Sequence, residues 1–205
     1  TRIGTSSAYS VFYNESGTGN LTQYLTIDSN IISNGYYGAG YFYGGSTSVW
    51  EQGFVFTNNL VRDFYIYGMY VYYQQNSIIS NNKFIQDPAT SVSSAYGPYF
   101  RMKSSEVSNN EITLHGTSTN YGLTPYYCDG TASAPTVVSN NMITTSTGNS
   151  NTLYGMRVYN CKYTNVVYNS IRTGNTTGTT YGLYHYGTSS YGPVNIQNNI
   201  FFTEG

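Results

Sequence analysis

The 205-residue sequence predicts an all-β chain wound as a right-handed parallel β-helix, a solenoid of about seven coils. Two motifs and their alternation predict it. The first is an apolar step, an Asn, any residue and an apolar residue. It reads IDSNII, FTNNLV, ISNNKF, VSNNEI, VSNNMI, VYNSI and IQNNIF, with the Asn at Asn30, Asn59, Asn82, Asn110, Asn141, Asn169 and Asn199. Successive Asn differ by 29, 23, 28, 31, 28 and 30 positions. The second is Tyr-Gly followed by alternating residues, starting at Tyr37, Tyr67, Tyr96, Tyr121, Tyr154 and Tyr181, with a degenerate copy, AYSVFY, near Tyr9. Each period holds one of each motif, in phase throughout the chain.

Other repeat architectures fit less well. YGMYVYY, YGMRVYN and YGLYHYG alternate with period two and favour aromatic and β-branched residues, so they read as strands and not as helices. Leucine-rich repeats need more Leu, and propeller blades need periods of about 40 to 45 residues. The Asn has a physical task in a coil: it tolerates left-handed backbone angles at a sharp turn. Coils stack about 4.8 Å apart. Amides at that spacing bond along the axis as a ladder, each bond worth about 1 kcal/mol net. The Gly of Tyr-Gly serves a bend or a close approach between coils.

Alternation assigns the faces. Two residues after each Tyr come Ala39, Met69, Pro98, Leu123, Met156 and Leu183; four after come Tyr41, Val71, Phe100, Pro125, Val158 and His185. These mostly apolar columns are expected inside. Three and five after come Gly40 and Phe42, Tyr70 and Tyr72, Tyr99 and Arg101, Thr124 and Tyr126, Arg157 and Tyr159, and Tyr184 and Tyr186. These are expected outside, as an aromatic stripe. STGNSNTL and RTGNTTGTT read as exposed loops, and a longer insert around Ser46–Gly53 carries Trp50. No linker breaks the pattern, so residues 1–205 form a single segment, expected to be part of a longer chain with further coils or caps.

Composition narrows the function classes. Only 8% of residues are charged and the net charge is −1, which argues against nucleic acid as a partner. The aromatic content of 17% argues against disorder. No apolar run reaches the roughly 20 residues of a membrane span. Few Lys and many Tyr, Asn, Ser and Thr point to an extracellular or cell-surface location.

The coils VYNSIRTGNTTGTTYGLYHYGTSSYGPVNIQNNIFF resemble the right-handed β-helix repeats of large secreted bacterial surface proteins. They are especially similar to those of Bacteroidetes-type bacteria that use type IX secretion. The resemblance covers nearly the whole chain and is clearest from Asn141 to Phe202. It implies export and a place on or outside the envelope. It implies no particular activity, because such repeats occur in adhesins, stalks and polysaccharide-degrading enzymes.

Catalysis of polysaccharide cleavage on this fold needs clustered carboxylates. Glu15, Asp28, Glu51, Asp63, Asp87, Glu106, Glu111, Asp129 and Glu204 are scattered, so no catalytic residue is assigned. His115 follows a strand, and His185 falls in an inward column. Two isolated His make no zinc site, and no calcium nonapeptide repeat occurs, so no cofactor or metal is expected. The candidate binding surface is the outward stripe of Tyr70, Tyr72, Tyr99, Arg101, Tyr126, Arg157, Tyr159, Tyr184 and Tyr186. It suits sugar rings or another cell-surface protein. The competing reading is that the rings only stabilise one another. The favoured function is a non-catalytic structural or adhesive surface protein. A carbohydrate-active enzyme with its site on other coils, and a phage tail fibre or spike, remain alternatives.

Cys128 and Cys161 each lie seven residues after a repeat Tyr, which puts them in one column of adjacent coils. Their stacking distance suits a disulfide, with free buried thiols as the alternative. Asp129 and Lys162 occupy the next column and are expected to pair.

Overall fold

A computed structural model describes residues 6, 9–86, 92, 94–117, 119–147, 151–175, 177–188 and 190–204. Asp87 and parts of the two Gly/Ser/Thr-rich loops lie outside the described residues. Every described strand pairing is parallel, and strands gather into three sheets, each stacking seven strands in a line. The first sheet holds Tyr13–Ser16, Tyr41–Gly44, Tyr67–Gln75, Ser94–Lys103, Thr119–Pro125, Leu153–Tyr159 and Thr180–Tyr186, with Glu51–Gln52 pairing beside it. The second holds Thr26–Asp28, Val55–Thr57, Ile78–Ser80, Glu106–Ser108, Thr136–Ser139, Thr164–Val167 and Val194–Gln197. The third holds Ile31–Ser33, Leu60–Arg62, Lys83–Ile85, Glu111–Leu114, Met142–Thr147, Ser170–Asn175 and Ile200–Glu204. The chain visits the three sheets in turn, which is the predicted solenoid.

The core is a set of stacked columns. In the second sheet Ile27, Phe56, Ile79, Val107, Val138 and Val166 are in register and buried. In the third, Ile32, Val61, Phe84, Ile112, Ile143 and Ile171 do the same. Between the ends of a column each inward side chain therefore meets apolar neighbours above and below, and burying one such side chain contributes roughly 1.5–3 kcal/mol.

The seven predicted Asn form one ladder at the turn between the second and third sheets. Each gives its backbone N–H and its side-chain amide to the Oδ1 of the next Asn, from Asn30 to Asn199, at 2.8–3.1 Å. From Asn59 onward the amide also reaches a backbone carbonyl of the preceding coil, such as Val107 for Asn141. The left-handed turn residue is not the ladder Asn itself, as expected, but the residue before it. Ser29, Asn58, Asn81, Asn109, Asn140, Tyr168 and Asn198 have φ between 55° and 60°. The two positions thus divide two tasks: the first residue, Asn in five of the seven coils, turns the chain, and the second, always Asn, bonds along the axis.

The Tyr-Gly glycines line a close backbone approach. A Cβ on Gly97 would lie against the carbonyl oxygen of Gly122, and one on Gly122 against that of Gly155.

Several expectations need correction. Tyr37 pairs with Tyr67, but Tyr41 pairs with Tyr70, so the Tyr37 coil carries one extra residue beside Gly40. That residue inverts the alternation: Tyr41 stands outside and Phe42, expected outside, is buried at 1% exposure. Thr124 belongs to the outer columns yet is fully buried between Tyr99 and its other neighbours. His185 pairs with Val158 in the inward column but is exposed, because no described coil covers it. The expected loops begin later than predicted. Met142–Thr147 and Ser170–Asn175 continue as paired strands, where Thr145 meets Thr173 and Thr147 meets Asn175. β-branched Thr favours that extension.

The disulfide is absent: Cys128 and Cys161 are both free and buried. The register is as predicted, since Tyr126 pairs with Tyr159, Asp129 pairs with Lys162, and Lys162 donates to the Cys128 carbonyl at 3.0 Å. Lys162 and Asp129 also form an ion pair at 3.0 Å. Side chains stacked in a parallel sheet run side by side, which conflicts with the near-perpendicular dihedral of a disulfide. The Cys161 thiol instead faces the carbonyls of Pro125 and Tyr159, each at 3.5 Å.

Candidate functional site

The outer side of the first sheet is covered by tyrosine rings in three parallel columns. The innermost begins with the motif Tyr itself. Tyr37, Tyr67, Tyr96, Tyr121, Tyr154 and Tyr181 stack without a break, with centroids 4.5–5.3 Å apart and planes within 18°. Sequence reasoning used these residues as repeat markers and left them out of the stripe. Strict alternation puts them in the inward phase; they stand outside because the Gly that follows and the next residue, as in Gly68 and Met69, are both buried, which breaks the alternation.

The middle column runs through Tyr13, Tyr41, Tyr70 and Tyr99 at 5.1–5.4 Å, then through Thr124 and Arg157 to Tyr184. The outer column holds Tyr43, Tyr72, Arg101, Tyr126, Tyr159 and Tyr186. Within it Tyr43 and Tyr72 stack at 5.7 Å, Tyr126 and Tyr159 at 5.2 Å, and Tyr159 and Tyr186 at 4.8 Å. Rings in neighbouring columns meet too, as Tyr70 and Tyr72 do at 4.8 Å. All nine predicted stripe residues therefore lie on one face. Tyr186 is exposed at 41% and the other eight are half-buried.

The two arginines are built into this surface. The Arg101 guanidinium lies 4.8 Å from the Tyr73 ring and 5.3 Å from the Tyr127 ring. Arg157 lies 4.7 Å from Tyr159 and 5.3 Å from Tyr121. Tyr73 and Tyr127 have φ of 57° and 51°, a conformation unusual for a bulky residue. Neither was predicted, and nothing in the alternation announces them: Tyr73 is the bulged residue inside Tyr67–Gln75, where pairing with the next strand shifts register between Arg101 and Met102, and Tyr127 lies just past the end of Thr119–Pro125.

Mutual burial pushes the phenols of Tyr67, Tyr70, Tyr72 and Tyr99 well above the ordinary phenol value, and those of Tyr41 and Tyr96 up to about 12. The face is therefore neutral apart from its basic residues and the exposed Glu15, which shares the Tyr43 register position. It offers flat apolar rings with hydroxyls at their edges.

The acids remain dispersed. Glu51 is buried beneath this sheet and held by neutral donors: the Ser16 hydroxyl, the Thr22 N–H at 2.7 Å, and the amides of Asn14 and Gln74 at 3.2 and 2.5 Å. Its carboxylate packs against Gly44, where a Cβ would occupy the same space. His115 Nδ1 lies 2.8 Å from the Ser146 hydroxyl. Among the described residues no group of three or more His, Cys, Asp or Glu could hold a metal ion, and no helix is long and apolar enough to cross a membrane.

With parallel three-sheet stacking and the Asn ladder established, comparison with known families decides the assignment. The family of right-handed β-helix regions matches residues 4–126 and 48–205. The chain belongs to that family. No curated protein and no solved structure matches it significantly. The β-helix fold is compatible with surface and carbohydrate-related proteins.

Proposed function

We propose that this β-helix is a non-catalytic extracellular or cell-surface protein, structural or adhesive, whose tyrosine face contacts glycan. One observation carries the reading: three columns of tyrosine lie side by side on a single sheet. Packing stability alone requires rings to stack along a column. It does not require three columns to share one outward face. A flat aromatic surface with hydroxyl edges matches the two sides of a sugar ring, whose C–H faces stack and whose hydroxyls bond at the rim. The similarity of the repeats to secreted surface proteins of Bacteroidetes-type bacteria supports export, with type IX secretion as the route. Self-assembly through further coils fits the same setting.

The test separates platform from packing. The triple variant Y126A/Y159A/Y184A removes rings from the outer and middle columns, whereas Y126F/Y159F/Y184F keeps the stacks. Affinity electrophoresis through soluble polysaccharides should show retardation of the parent chain, loss of it in the alanine triple and partial loss in the phenylalanine triple. Unchanged retardation of a folded alanine triple would refute the reading.

A further inference from the structure

The basic residues of this chain are unevenly paired. Four described ion pairs exist: Arg62 with Asp63, Lys83 with Glu111, Lys162 with Asp129, and Arg172 with Glu204. The described basic residues outside these pairs are Arg101, Lys103 and Arg157. All three project from the outer side of the first sheet, alternating with buried Phe100, Met102, Met156 and Val158. The acid on that face, Glu15, lies three strands before Arg101, or about 14 Å at the usual strand spacing.

The arginines are also held in place. Two tyrosine rings lie within cation–π distance of each guanidinium and restrict its movement. The Arg101 Nε is buried and makes no hydrogen bond, and its one described side-chain bond, from Nη1 to the Tyr73 hydroxyl, is long at 3.4 Å. A buried cationic donor without an acceptor is costly. The Nε is closed to solvent, so an arriving anion with two oxygens would meet the guanidinium at its two Nη atoms.

We infer that the tyrosine face selects an anionic polysaccharide, with Arg101 and Arg157 receiving carboxylate or sulfate groups while the rings carry the sugars. This rests on the glycan reading above and names the class of glycan. Arg101 and Arg157 stand two strands apart, about 10 Å along the axis. One strand spacing is comparable to the rise of one sugar in an extended polysaccharide. Arg101 belongs to the outer column and Arg157 to the middle one, so a chain crossing the face obliquely, about 7 Å sideways over two strands, brings charges on alternate sugars to the two arginines. Lys103, at the end of the Arg101 strand, adds a point charge at the margin.

The experiment compares polymers that differ in charge. Polygalacturonate and its methyl ester share a backbone, and dextran sulfate and dextran form a second pair. Binding of the 205-residue chain is measured by affinity electrophoresis at low and high salt. The acid form should bind at least roughly tenfold tighter than its ester at low salt, and the advantage should collapse at high salt. R101Q/R157Q should bind the acid form and the ester about equally, the salt-sensitive advantage being lost. The tighter of polygalacturonate and dextran sulfate identifies the anion as carboxylate or sulfate. Equal binding of acid and ester by the parent chain would overturn the inference and leave the glycan reading standing. So would an advantage that persists at high salt, or in a folded R101Q/R157Q. Binding of none of the four polymers would remove both.

Discussion

Asn110 gives its backbone N–H and its side-chain amide to a single oxygen, Oδ1 of Asn141, at 3.1 and 2.9 Å. Its own Oδ1 receives the same pair from Asn82, and its amide also reaches the Ile79 carbonyl at 3.0 Å. Asn110→Ala therefore orphans groups on both neighbouring coils at a site 1% exposed. Leaving a buried polar group unpaired costs about 1–3 kcal/mol, so a loss of about 3 kcal/mol or more is expected by denaturant titration. Asn30 is exposed at the end of the described ladder, and Asn30→Ala should cost about 1 kcal/mol or less. Equal losses at the two positions would contradict the ladder as a source of stability.

Glycine at the Tyr-Gly step is a steric requirement. A Cβ on Gly122 would press on the Gly155 carbonyl and Ile143 Cγ2, and the backbone of a stacked coil cannot yield. Gly122→Ala should lower stability by about 1–3 kcal/mol, as overpacking does. Gly17 has nothing within 4 Å of such an atom, so Gly17→Ala should stay within about 0.5 kcal/mol of the parent in the same titration.

These two positions show why the fold was legible. Asn110 and Gly122 recur because stacking makes every coil solve the same problem with the same residue, so geometry becomes periodicity in the sequence. The face assignments were legible for the same reason, and failed where period two breaks. The extra residue beside Gly40 exchanged Tyr41 and Phe42, and no residue type marks such an insertion. Tyr73 and Tyr127 escaped notice because left-handed tyrosines are rare and alternation gives them no side. The buried Glu51 resembled any other scattered acid, because its partners on the neighbouring coils lie 37, 35 and 23 residues away in sequence.

The tyrosine stacks predict alkaline lability. An unfolded phenol ionises near its ordinary value of 10.0, while Tyr41 and Tyr96 are raised to about 12 in the fold. A folded value above the unfolded one favours the protonated native state. Its stabilising effect is complete below 10.0 and is lost as pH climbs toward and through about 12. Circular dichroism and tyrosinate absorbance should therefore change together in that window. Full ionisation of the stacked tyrosines with β-structure intact would contradict mutual burial as the cause of the shift.

The paired cysteines give the last prediction. Cys128 and Cys161 share a column of adjacent coils, both 1% exposed, and burial pushes the Cys128 thiol well above its usual value. The thiolate is the reactive form, so a raised value and an inaccessible sulfur both suppress chemistry. Asp129 and Lys162 pair immediately beside them and hold the register, which keeps the two side chains parallel. A thiol-reactive chromogenic reagent should therefore label neither cysteine in the folded chain and both after denaturation. Mild oxidants should leave native electrophoretic mobility unchanged under non-reducing conditions. Cys128→Ser places a hydroxyl where the thiol now packs in the core, and Cys128→Ala removes only a small apolar volume. The serine variant should lose more stability, by roughly 1–3 kcal/mol if its hydroxyl finds no partner. If oxidation instead joined the two sulfurs and raised the melting temperature, the coils would have to adjust locally at Asp129–Lys162, and loss of that ion pair on oxidation would be the structural sign.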